Sequence, residues 1–106
     1  MTEYYTNQDA TIRFDVYKDG ELCSPRDAIV SAYAPGSKFI EQSVAQVKGS
    51  EVIFVLPGEK IETRGIYVFV FKVSIARMAD YTHVVNIDVK DLPVEEPEVS
   101  NVNAYT

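Results

Sequence analysis

Apolar and polar side chains alternate along most of this chain with a period of two, which is the pattern of β-strands that have one buried face. In residues 11–17, Ile12, Phe14 and Val16 occupy every second position, and mainly polar side chains lie between them. In residues 81–90, Val85, Ile87 and Val89 share one strand face with His83. No segment keeps the period of an amphipathic helix over about ten residues. The pattern therefore predicts an all-β protein.

Turn residues separate the predicted strands at intervals that are typical of a small β-domain. The further strands fall at residues 28–34, 38–47, 51–56 and 66–75. Single glycines mark most of the boundaries, and the Asp19–Gly20 pair is a strong hairpin signal. We predict an antiparallel, immunoglobulin-like β-sandwich of about six to seven strands, the seventh if residues 21–23 pair. A small barrel remains the alternative architecture.

One predicted strand is apolar on both of its faces. Residues 66–71 read Ile-Tyr-Val-Phe-Val-Phe without a polar interruption. A strand in the middle of a sheet has this composition when both of its faces are covered. We therefore expect residues 66–75 to form a central strand that is buried by a second sheet or by a neighbouring subunit.

The two ends of the chain lack the alternation, and they predict flexible arms at residues 1–9 and 91–106 around a folded body at residues 10–90. The second arm holds four acidic and no basic residues, which is most of the net charge of −6. The first residues lack the basic and apolar regions of a signal peptide, and no apolar run approaches the roughly 18 residues of a membrane helix. We expect a protein that is not exported by a signal peptide and does not enter a membrane.

Residue types that carry catalysis or bind metals are few and scattered. His83 is the only histidine and Cys23 the only cysteine, whereas a metal site needs several such ligands. We expect the imidazole of His83 to pack against its apolar neighbours. The basic residues form no concentrated patch of the kind that binds nucleic acid. The sequence therefore predicts no catalytic site, metal, cofactor or nucleic-acid partner.

Tyrosine is the residue type that most suggests contacts with another protein. The chain has seven tyrosines and no tryptophan, and tyrosine is favoured at interfaces because its apolar ring ends in a polar hydroxyl. Strands also use tyrosine for ordinary packing. The candidate partner-binding residues lie in the two arms and on the body: Tyr4, Tyr5, Tyr33, Tyr81, Val94, Val99, Val102 and Tyr105.

Two adjoining segments carry a resemblance to a known family. Residues 45–57 predict a strand, a glycine turn and a strand that ends in Leu-Pro, and residues 65–72 predict a strand led by glycine. Over residues 10–90 this pattern resembles the small immunoglobulin-like domains of tailed-bacteriophage virion proteins, in particular the amino-terminal domain of baseplate upper proteins. The resemblance implies a non-enzymatic virion protein, made in the host cytoplasm, that serves in head decoration, neck or adaptor, or baseplate. Its implied partners are other virion proteins and copies of itself.

Two other functions are alternatives to this interpretation. A carbohydrate- or cell-surface-binding module would present exposed aromatic side chains, often tryptophan, on a face or in a loop. An enzyme would need a nucleophile motif, a set of metal ligands or a cofactor loop. The sequence supports the enzyme least.

Overall fold

Ten β-strands account for most of the residues that the structure describes. The computed structural model describes residues 2–93. In chain order the strands are β1 (Tyr4–Tyr5), β2 (Ala10–Asp15), β3 (Tyr17–Lys18), β4 (Glu21–Leu22), β5 (Asp27–Ala34), β6 (Lys38–Val44), β7 (Gln46–Lys48), β8 (Glu51–Leu56), β9 (Gly65–Ser74) and β10 (Tyr81–Lys90). A turn of 3-10 helix, Gly58–Lys60, lies between β8 and β9. Within residues 2–93, no helix is long and apolar enough to cross a lipid bilayer. The predicted all-β class is confirmed.

The strands form two main sheets and a small hairpin. The larger sheet has the order β1-β10-β9-β5-β6, the smaller sheet has the order β2-β8-β7, and β3 pairs with β4. The pairing of β1 with β10 is parallel, and the other pairings of the described strands are antiparallel. β9 lies in the middle of the larger sheet, as its apolar composition predicts.

The hydrophobic core lies between the two main sheets. The side chains of Tyr67, Phe69 and Phe71 on β9 are buried and face the smaller sheet. The rings of Phe54 on β8 and Phe69 have centroids 6.1 Å apart, and the rings of Phe14 and Phe71 meet edge to face at 4.9 Å. These contacts join one sheet to the other, so the molecule is a β-sandwich. Burial of aromatic and branched side chains at this seam supplies the main stabilising term.

The single strand predicted over residues 38–47 is in fact two strands in different sheets. β6 pairs with β5 in the larger sheet, and β7 pairs with β8 in the smaller one. The chain crosses between them at Ala45, which is buried and whose N–H donates to the Ala28 carbonyl at 2.9 Å. A small side chain suits this corner because the backbone itself passes through the edge of the core. This crossing corrects the prediction of a single strand over residues 38–47.

The two predicted hairpin turns are confirmed by their backbone angles. Asp19 and Gly20 both have positive φ, 54° and 81°, as the two-residue turn between β3 and β4 requires. The pairing of β3 with β4 supplies the predicted additional strand at residues 21–23. Gly49 has a φ of 62° in the turn that joins β7 to β8. Glycine takes this left-handed angle without a steric cost.

The predicted arm at residues 1–9 is wrong for the part that follows Glu3. Tyr4 and Tyr5 pair with Val89 and Lys90, and so β1 is a strand of the larger sheet. Thr6 is buried and its N–H donates to the Lys90 carbonyl at 2.9 Å. The N–H of Asn7 donates to the carbonyl of Ile61 at 2.8 Å. The alternation signal missed this segment because β1 is only two residues long.

The carboxyl end of the described chain also contacts this segment. β10 ends at Lys90, which is where the sequence places the end of the body. The N–H of Leu92 donates to the hydroxyl of Thr6 at 3.2 Å. The remainder of the predicted acidic arm, residues 94–106, lies outside the described residues.

Candidate protein-interaction face

The central strand β9 presents apolar side chains on both faces, but only one of those faces is covered. Tyr67, Phe69 and Phe71 point into the core. Ile66 and Val68 lie on the opposite side, where Ile66 is 49 % exposed. Within residues 2–93, no strand packs over this outer side of the larger sheet. The sequence predicts that both faces of this strand are covered. The second sheet covers the inner face, and no described strand covers the outer face.

The strand register extends the apolar surface sideways from β9. Val70 lies opposite Val84 of β10, and Val68 lies opposite Tyr33 of β5. Tyr33 in turn lies opposite Phe39 of β6, and their rings meet edge to face at 5.8 Å. Residues directly opposite each other in antiparallel strands have their side chains on the same face. These side chains therefore lie on one surface that spans four strands, with the polar side chains of Ser31, Gln42 and Asn86 between them.

We call this surface the outer apolar face. It consists of the outward apolar residues of β10, β9, β5 and β6, namely Ile29, Tyr33, Phe39, Val44, Ile66, Val68, Val70 and Val84. Four strands about 4.8 Å apart and about seven residues long give it a span of roughly 20 Å by 20–25 Å. An antiparallel sheet with one face in water normally carries polar side chains there. A largely apolar surface of this extent is typical of an interaction site.

Charged side chains border the outer apolar face at both ends of β9. Lys72 lies at one end and Asp27 lies beyond it on β5. Asp88 lies at the other end, opposite Ile66, and Lys90 lies further along the same strand. All four of these side chains are exposed. Each end therefore carries one acidic and one basic group around an uncharged centre.

The structure separates the tyrosines that the sequence nominates as partner-binding residues. Tyr33 belongs to the outer apolar face. Tyr4 and Tyr5 lie on the edge strand β1, where the hydroxyl of Tyr5 donates to the carboxylate of Glu3. This hydrogen bond raises the pKa of Tyr5 above its ordinary value. Among the tyrosines of residues 2–93, only Tyr33 is on the surface whose chemistry indicates a contact.

Tyr81 lies away from that surface, at the start of β10. It is half-buried and packs against the core, and this burial raises the pKa of its hydroxyl. The other nominated residues are Val94, Val99, Val102 and Tyr105, which lie outside the described residues.

His83 has the packing role that the sequence predicts. Its imidazole stacks on the ring of Phe14, with centroids 4.0 Å apart and an interplanar angle of 27°. Cys23 is half-buried, and its Sγ lies 3.9 Å from the Ser24 carbonyl oxygen. Among residues 2–93, no group of three or more histidine, cysteine, aspartate or glutamate side chains is placed to hold a metal ion.

An open groove of about 530 Å³ lies beside Phe39 at one edge of the sandwich. Its walls include Lys60 and the carboxylates of Glu59 and Glu62. Nearby, the ammonium of Lys60 donates to the carboxylate of Glu41 on β6. Hydrogen bonds from Lys60 and then from Ser43 lower the pKa of Glu41. The groove thus combines one exposed aromatic ring with polar side chains.

Sequence reasoning identified β9 and Tyr33 but missed the rest of the outer apolar face. Ile29 and Val84 are apolar residues at the outward positions of strands whose inward positions are mostly apolar, whereas Val44 lies on β6, whose inward positions hold Ser43 and Glu41. An apolar residue at an outward position indicates, for each strand separately, a surface that another molecule could cover. Only the register joins them into one surface, because the strands are far apart in sequence. No protein family, curated protein or solved structure was found that matches this chain.

Proposed function

We propose that this protein is a non-enzymatic building block that makes protein–protein contacts through the outer apolar face, as a structural component of a bacteriophage particle. The observation that supports the contact is the outward row of Ile66, Val68 and Val70 at the centre of a sheet. The proposal of a virion role is carried by the sequence resemblance in residues 10–90.

Physical chemistry supports a partner for this surface. Apolar area that leaves water contributes roughly 25 cal/mol per Å², so an uncovered apolar face is a source of binding free energy. β-branched side chains in a central strand are also held rigid by the sheet, and they lose little conformational freedom when a partner covers them. The uncharged centre and charged ends of the face match the usual anatomy of an interface, with an apolar core and a polar rim.

The same proposal includes the finer identity of the fold. The proposal of an immunoglobulin-like sandwich is supported by the strand orders β1-β10-β9-β5-β6 and β2-β8-β7, because the edge strand of one sheet continues into the other. Such a sandwich is a rigid body from which edges and faces are presented to neighbours. The proposed partners are other virion proteins and further copies of this chain, in head decoration, neck or adaptor, or baseplate.

The test is incorporation into particles. Particles from a host that carries this coding sequence would be purified by density gradient, and the protein would be quantified by mass spectrometry. We expect a fixed copy number per particle for the natural chain and a strong loss for V70K, which places a charge at the centre of the face. V55K is the matched control, because Val55 is 45 % exposed on the other sheet. Absence of the natural chain from particles would contradict the virion role.

A carbohydrate-binding module is the second candidate. The groove beside Phe39 favours it, because sugar sites combine an aromatic ring with carboxylate and amine groups, and Phe39 is 57 % exposed there. A glycan array is the test. A hit that is lost in F39A or in Tyr33→Ala would support this function, and an array without hits would count against it.

A further inference from the structure

The occupant of the outer apolar face can be argued from the charges that border it, given the proposed role of this face in protein contacts. Lys72 and Asp88 lie at opposite ends of β9 and on the same side of the sheet. A partner with the reverse order of charges would match both of them. A second copy of this chain, turned end for end, has that order.

From this charge pattern we infer that two copies pack face to face through the outer apolar face, related by a two-fold axis that lies in the interface and runs perpendicular to β9. A closed dimer with such an axis buries the same surface on both copies. An axis that crosses β9 at Phe69 places Val68 of one copy over Val70 of the second copy. The valines of β9 then meet at the centre of the interface, with Asn86 and Ser31 beside them on each copy.

The charges favour an axis perpendicular to β9 over an axis parallel to β9. With the axis perpendicular to β9, Lys72 of one copy lies one strand, or about 4.8 Å, to the side of the position that Asp88 of the second copy occupies. With the axis parallel to β9, Lys72 lies directly over Lys72 of the second copy, and Asp27 lies two strands to the side of its own counterpart. Like charges at an interface cost free energy and opposite charges steer association. The end-for-end arrangement is therefore the one that the register supports.

The area of the face places the proposed dimer among weak, transient interfaces. A surface of roughly 20 Å by 20–25 Å lies at the small end of specific interfaces. We expect a reversible dimer with a micromolar dissociation constant rather than an obligate one. Sedimentation velocity or light scattering of the full chain, from about 5 µM to about 500 µM, covers that range. The mass should rise from that of one chain to that of two.

The first set of variants tests the surface. V70K and V84K each place an ammonium group in the apolar contact, and we expect the dissociation constant to rise about 30-fold or more. Val84 is 54 % exposed on β10, so V84K keeps the test decisive if V70K unfolds. V55K, the same change on the other sheet, should dimerise like the natural chain. Circular dichroism confirms that each variant is folded.

The second set of variants tests the axis. K72D and D88K should each weaken the dimer, because each places like charges beside each other across the interface. The double variant K72D/D88K restores opposite charges in reversed order, and we expect it to recover most of the affinity. A dimer that is lost in V70K but not recovered in K72D/D88K would overturn the proposed axis.

Other outcomes overturn the self-association itself. A natural chain that stays monomeric at about 500 µM would exclude the dimer, while loss of V70K from particles would still support the proposed function with a different partner. Nuclear Overhauser contacts between Val70 and residues 94–106 in a monomer would name the chain's own terminal segment as the occupant. A dimer that persists in both V70K and V84K would place the interface elsewhere.

Discussion

At the residue scale, the described amino-terminal segment is held by contacts that leave no room for a larger side chain. Gly58 is buried, and a Cβ built on it would lie 2.7 Å from the backbone atoms of Asn7 and Gln8. Its N–H donates to the carboxylate of Asp9 at 2.8 Å. The backbones of the 3-10 turn and of the segment after β1 are therefore in direct contact. Only glycine allows this approach without movement of one of them.

G58A is expected to lower the free energy of unfolding by about 1–3 kcal/mol, because the added methyl group overlaps backbone atoms that cannot turn aside. Urea denaturation checks the value. E59A is the control in the same turn, since Glu59 is exposed, and we expect it to stay within about 0.5 kcal/mol of the natural chain. Equal stability of G58A and the natural chain would mean that this close approach does not exist in solution.

The hydroxyl of Thr6 is the second contact of this kind, and it is tested by hydrogen exchange. It accepts a hydrogen bond from the N–H of Leu92. In Thr6→Val this acceptor is absent, and we expect a loss of about 1 kcal/mol and faster exchange of the Leu92 amide. The Asn7 amide, which donates to the Ile61 carbonyl, should keep its protection. Unchanged exchange at Leu92 would show that its amide has no such partner.

At the element scale, an ion pair joins β6 to the 3-10 turn across the edge of the sandwich. Lys60 and Glu41 make this contact, and it lowers the pKa of the Glu41 carboxyl below 4.5, its value in an unstructured chain. A carboxylate with a lowered pKa stabilises the fold fully above the unfolded pKa. That contribution is lost as the pH falls from about 4.5 through the folded pKa.

The resulting prediction concerns acid stability. As the pH falls below about 4.5, the natural chain should lose stability more steeply than K60M, in which Glu41 has lost its cation. Thermal unfolding at a series of pH values measures the difference, and the two curves should converge at the lowest pH. R64M is a control, because the pair of Arg64 with Asp91 is exposed on both sides. Parallel curves for K60M and the natural chain would contradict the role of this pair.

The elements also show how far the sequence alone could lead. The strand predicted at residues 81–90 is β10 itself, and the strand predicted at residues 66–75 differs from β9 by one residue at each end. Alternation identifies such strands because their two faces meet different environments. β1 and the crossing at Ala45 could not be predicted in this way. Their positions depend on partners far away along the chain, and a two-residue strand has no period.

At the scale of the whole molecule, the described residues contain a complete sandwich with its core. We therefore expect a chain that ends after Pro93 to remain folded, with a melting temperature within about 4 °C of the full chain. The contact of Leu92 with Thr6 is kept in this variant. Differential scanning calorimetry measures the change. Unfolding of the shortened chain would mean that residues 94–106 contribute to the core and that the body does not end near residue 90.

The parallel pairing of β1 with β10 has a consequence for the order in which the molecule folds. Tyr4 pairs with Val89, so these two strands are separated by nearly the whole described chain. During synthesis, β1 leaves the ribosome before β10 and lacks this partner until β10 emerges, and contacts between such distant segments form slowly. A strand that is made early is then among the last to dock. Substitutions in it should accelerate unfolding and leave the refolding rate almost unchanged.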